Sequence, residues 1–228
     1  MPVSVPALSP EEYALADHSS RGGMLLSVQW ALTSFAAAFL ALRLYVKMSL
    51  KKGLWWDDWL LLASWLICIV VCILTTILVK EFGMGRHSYD IVNPDPSRWI
   101  LILDSRATAT LTALAWTKTA FAVSLLRLTI GKTKAFVWFL IITLNIAMAF
   151  SAMVPWIQCQ PVEKRWHFEI EGQCWPGGVG IKIWIATGAL SSLYDFVLAV
   201  LPWTFLYSLT LKKKEKAGIL VAMSMGAV

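Results

Sequence analysis

Charge is scarce in this sequence. Asp, Glu, Lys and Arg make up 15% of its 228 residues, against about a quarter in a soluble domain. There are three histidines and four cysteines, none at zinc-ligand spacing. That excludes a zinc-stabilised fold, and neither a metal nor a cofactor is expected. A Ser-His-Asp set, a phosphate-binding loop and internal repeats are missing as well. Serine hydrolases, P-loop nucleotide enzymes and solenoids therefore find no support. The first 23 residues hold no apolar run of the kind a cleaved signal peptide needs. The first membrane helix is expected to act as its own insertion signal.

What fills the space is apolar. Hydrophobic residues reach 58% and there are 13 tryptophans, a residue enriched where a bilayer meets water. Five long apolar runs stand at 24–46, 59–79, 99–128, 136–157 and 181–211. About 20 apolar residues in a helix cross the hydrocarbon core. The expected fold is all-α, a polytopic transmembrane bundle over 24–228 preceded by a tail over 1–23. A sixth run, 217–228, has 12 residues, which reach about 18 Å and fall short of a span. It reads as the start of a sixth helix left incomplete, or as an interfacial helix.

The net charge of +6 does not point to nucleic acid, because the basic residues sit between apolar runs and not on a soluble face. They carry topology instead. Alternate connections hold Arg43, Lys47, Lys51 and Lys52, then Arg127, Lys132 and Lys134, then Lys212, Lys213, Lys214 and Lys216, 11 in all. The opposite side holds 7: Arg21, Lys80, Arg86, Arg98, Lys164, Arg165 and Lys182. Lysine and arginine excess marks the cytoplasmic side, so the N-terminus is expected outside the cytoplasm, in the plasma membrane or the endoplasmic reticulum. Cys159 and Cys174 then fall in an outer connection, where an oxidising compartment permits a disulfide. Cys68 and Cys72 lie one turn apart inside the second run and read as buried small hydrophobes.

Several short motifs carry chemistry. Trp55-Trp56-Asp57-Asp58-Trp59 opens the second helix, where two acids suit the positive end of the helix dipole. They could also lock onto Arg43 or Lys47. Gly83-Met84-Gly85-Arg86-His87 follows that helix, with glycine supplying the left-handed cap and His87 a candidate ligand group on the outer surface. Ser9-Pro10-Glu11-Glu12 has the pattern of a short helix start. Within the spans, ionisable groups are costly and so are functional candidates: Asp104, Arg106 and Lys118 in the third run, Asp195 in the fifth. Asp195 has two competing partners, Lys118 and Arg106. Pro202 is expected to kink the fifth helix.

Taken in order, these residues resemble the fungal rhodopsin-domain family, seven-helix receptor-like membrane proteins of filamentous fungi. The resemblance runs from Arg43-Leu-Tyr45-Val-Lys47 through Trp56-Asp57-Asp58-Trp59, Gly83-x-Gly85-Arg86-His87, Lys118 and Leu126-Arg127. It continues through Cys159-Gln160-Pro161, Trp166, Cys174, Asp195 and Pro202 to Lys216 and Gly226. It implies a seven-helix bundle and strengthens the Cys159–Cys174 disulfide. It does not imply retinal, since the Schiff-base lysine of true rhodopsins lies on the last helix and Lys118 is on the third.

Two functions from different classes follow. One is a receptor-like sensor of a small apolar ligand, with Asp195, Lys118, Arg106 and His87 as ligand-binding candidates and a cytoplasmic signalling partner. The other is a membrane-embedded, cyclase-like enzyme or accessory of a secondary-metabolite pathway. Some relatives lie in such gene clusters, and Asp195, Asp104 and Lys118 would be the acid–base groups. A transporter is disfavoured by the lack of an internal repeat.

Overall fold

A computed structural model describes residues 19–50, 53, 55–87, 90, 95–127, 129 and 131–208, with 202–208 as backbone only. The helix start at Ser9-Pro10, Lys51 and Lys52, the basic connection at 212–216, the sixth run and the side chain of Pro202 lie outside the described residues.

Among the described residues, five helices are long and apolar enough to cross a membrane. They are α1 (Gly22–Ser49), α2 (Trp56–Lys80), α3 (Pro96–Leu126), α4 (Lys132–Ile157) and α5 (Val179–Ser208). Each starts before the apolar stretch that announces it, because helical backbone continues beyond the hydrocarbon. Thus α3 starts at Pro96, whose missing N–H costs nothing in a first turn. The Asp95 carboxylate accepts from the Arg98 backbone N–H at 3.1 Å. The helices alternate in direction. The start of α1 meets the end of α2, where the Arg21 N–H donates to Gly85 O at 3.0 Å. A Cβ on Gly85, at φ +93°, would stand 2.7 Å from Gly22 N, so backbone lies on backbone at this corner. The α2 helix closes through Gly83 at φ +69°, with the Met84 N–H on Leu78 O at 3.0 Å.

Between α4 and α5 the chain forms a small cap on the same end of the bundle. The two-residue strands β1 (Cys159–Gln160) and β2 (Gln173–Cys174) pair antiparallel around a 3-10 turn at Val162–Arg165. The Cys159–Cys174 disulfide closes them. This is the disulfide end; the opposite end carries Asp57 and Asp58. Near that opposite end α3, α4 and α5 share an apolar core of Ala122, Leu125, Val137, Leu140, Ile141, Leu198 and Leu201. A second cluster of Ala115, Leu144 and Met148 sits nearer the disulfide end.

Pro155 lies inside α4, two residues before its end. It has no N–H to give Ser151 O four residues back. The Trp184 indole of α5 donates to that carbonyl instead, at 3.3 Å, which satisfies in the bundle what the helix leaves open.

Candidate functional site

Ionisable side chains fall into three groups along the bundle. At the end opposite the disulfide, Asp57 and Asp58 of α2 are buried, at 1% and 2% exposure. Arg43 of α1 reaches Asp57 at 2.9 Å and Asp58 at 3.2 Å. Lys47, one turn on, reaches Asp58 at 2.6 Å and Asp57 at 3.2 Å. Arg127, just past α3, also bonds Asp57 and stacks over the Trp55 ring with 4.5 Å to the centroid. The Ser124 hydroxyl donates to Asp57 at 3.3 Å, and the Trp55 backbone N–H to Asp58 at 3.1 Å. The two acids thus open their helix and also lock α1, α2 and α3 together. The lock to Arg43 and Lys47 is present in full, and Arg127 and Ser124 join it.

At the disulfide end, Asp104 of α3 is buried and meets Arg165 of the 3-10 turn, with Nε at 3.0 Å. The sequence alone gave Arg165 no such role, since the two lie 61 positions apart. The disulfide-closed cap sets that turn against α3. Beside it Thr108 donates to Ala152 O at 3.2 Å and accepts from the Trp156 indole at 3.0 Å, which ties α3 to α4.

Between these ends, Lys118 of α3 donates to Asp195 Oδ2 of α5 at 2.8 Å. It also bonds the Ser191 hydroxyl and, at 3.3 Å, the Ser191 carbonyl. Lys118 therefore takes Asp195, and Arg106 does not, which is what their separation demands. The two cations are twelve residues apart on one helix, about 18 Å along its axis. Two neutral bonds brace this level. Asn145 of α4 donates to Thr119 of α3 at 2.8 Å, and Thr143 of α4 lies 2.7 Å from the Tyr194 hydroxyl of α5.

Arg106 stands elsewhere. It is ten residues, or about 15 Å, into α3, and it lines a cavity of about 330 Å³ between α3, α4 and α5. Leu111, Leu114, Met148 and Trp184 supply apolar walls, while Ser151, Thr187 and Ser191 add hydroxyls. The Arg106 Nε and the Ser151 hydroxyl are buried and have no hydrogen-bond partner among the described residues. An unpaired cation within a span costs on the order of 2.5–3.5 kcal/mol even on the lenient insertion scale. Ser191 belongs both to this lining and to the Lys118–Asp195 group, so the cavity adjoins the ion pair through one side chain.

Of the sequence candidates, then, Arg106 lines the cavity, and Lys118 and Asp195 border it through Ser191. Asp104 is engaged by Arg165 at the disulfide end. His87 lies exposed in the turn after α2, apart from the cavity lining. Ser151, Trp184 and Ser191 were missed, since a serine or tryptophan in an apolar run carries no periodic signal. Among the described residues no cluster of His, Cys, Asp and Glu could hold a metal ion.

The profile described as Fungal rhodopsin domain matches residues 42–228. No curated protein and no solved structure matches the chain. The profile covers everything from the end of α1 onward, including the acid lock, the disulfide cap and the Lys118–Asp195 pair. This multi-pass membrane chain belongs to the fungal rhodopsin domain family.

Proposed function

We propose that the protein is a receptor-like sensor that binds a small molecule between α3, α4 and α5. The single observation that carries this reading is the cavity lined by Arg106, Ser151 and Trp184. Concave, mostly apolar sites with a few convergent polar groups are where small ligands bind. In this reading the disulfide end faces the exterior or lumen, supported by the oxidation that Cys159–Cys174 requires. The basic excess on the other side supports the same orientation. The N-terminus is then outside, and the Asp57–Asp58 end faces a cytoplasmic signalling partner. Ligand in the cavity acts on α5 through Ser191 and the Lys118–Asp195 pair.

The enzyme reading has less behind it. Acid–base catalysis needs a carboxyl presented to substrate, and neither Asp104 nor Asp195 lines the cavity. Both Asp104 oxygens are held by Arg165, and Lys118 holds Asp195 Oδ2.

The test is a small-molecule screen on the full chain displayed in cells, read as a ligand-dependent intracellular signal. Gly188→Leu would be run in parallel, because a Cβ on Gly188 meets nothing within 4 Å and the residue lines the cavity. The expected result is a response that this filling substitution abolishes. A response indifferent to it would place the ligand elsewhere and overturn the reading.

A further inference from the structure

We infer that the ligand of this cavity is a single-tailed anionic amphiphile, a small carboxylate whose head pairs with Arg106. The inference rests on the sensing reading above and gives it a chemical class. Every buried carboxylate in the described bundle already has a cation: Asp57 and Asp58 hold Arg43, Lys47 and Arg127, and Asp104 holds Arg165. Asp195 holds Lys118. Arg106 is left with a buried Nε that no described group accepts from. A guanidinium presents a planar fork of donors that fits a carboxylate with two parallel bonds.

Size and lining describe the rest of the molecule. At about 30 Å³ per heavy atom, water's share of liquid volume, 330 Å³ holds about a dozen heavy atoms. That fits a carboxylate with a single tail of about ten carbons, in a cavity that is open on one side. Leu111, Leu114, Met148 and Trp184 provide an apolar surface for such a tail.

The experiment uses the full chain in phosphatidylcholine nanodiscs and measures binding of radiolabelled decanoate, decanol and decyltrimethylammonium, each corrected for empty discs. Decanoate is expected to bind best and the cation not at all. Arg106→Gln should weaken decanoate about 10- to 100-fold, the worth of a hydrogen bond to a charged group, and leave decanol within about threefold. Gly188→Leu should weaken both. If Arg106→Gln does not assemble, Arg106→Lys decides, with a loss of about tenfold expected from replacing the fork by a point charge. Decanoate and decanol binding alike, with Arg106→Gln altering neither, would overturn the anionic head and leave the sensing cavity standing. No probe binding, with Gly188→Leu silent, would overturn the cavity reading itself. Adding lysophosphatidic acid, a single-tailed membrane anion, to the discs sets the source. Competition with decanoate means the bilayer supplies the anion, its absence means the solution does, and both results support the Arg106 site.

Discussion

The acid lock at Asp57–Asp58 and the Lys118–Asp195 pair use the same charges and reach opposite states. In the lock, both carboxylates are buried and three cations, a serine and a backbone N–H converge on them. In the pair, one cation meets one carboxylate that is 55% exposed. The lock is over-determined: losing any one cation leaves others in place, so α1, α2 and α3 form a fixed unit. The pair holds α5 by a single ionic contact, beside a cavity in which another cation lacks a partner among the described residues. Charge is thus fully met at the lock and only partly met at the pair, and it is there that the proposed sensing role places the response.

The sharpest way to break this comparison is Asp57→Ala, which strands Arg127 and leaves Arg43 and Lys47 to share Asp58 alone. A loss of about 2–3 kcal/mol is expected in detergent unfolding, because one cation loses its carboxylate and two others must share the one that remains. The Asp104–Arg165 pair stands between the two cases, with one cation but a covalently closed cap holding it. Cys159→Ser should cost about 2–4 kcal/mol, and reductant should bring the parent protein to the same stability. A double-mutant cycle on Lys118→Met and Asp195→Leu should give a coupling of about 1 kcal/mol, small because single polar contacts between helices in a bilayer couple only weakly. A coupling as large as the Asp57 loss would erase the distinction between lock and pair. Ser124→Ala removes one neutral donor from an acid that keeps three cations, and about 0.5 kcal/mol is expected from the same unfolding measurement.

The five spans were legible because hydrocarbon leaves the backbone no other partner than itself, and 20-residue apolar runs have no second reading. The disulfide was legible from two cysteines sharing one connection. Pairings were less so. The choice between Lys118 and Arg106 as the partner of Asp195 turned on depth along two helices. Depth could not be fixed without the helix ends, and α3 begins three residues before its apolar run. Arg165 was invisible as a partner of Asp104 because a short loop fold, not a periodicity, brings it there. The cavity could not be read at all. It is defined by where α5 sits against α3 and α4, which depends on details such as Trp184 reaching the carbonyl that Pro155 leaves free.

The first helix carries a consequence of its own. Gly22 is its one buried residue, pressed against the turn after α2 where Gly85 leaves no room for a methyl group. At its far end Arg43 and Lys47 grip the two aspartates. Between these tips Trp30 and Thr33 bond α2, so α1 is pinned along one face and open on the other. Its exposed face, away from Trp30 and Thr33, should accept almost any oily residue in a saturation library. Replacements at Gly22, Gly85 and Arg43 should instead deplete the folded population.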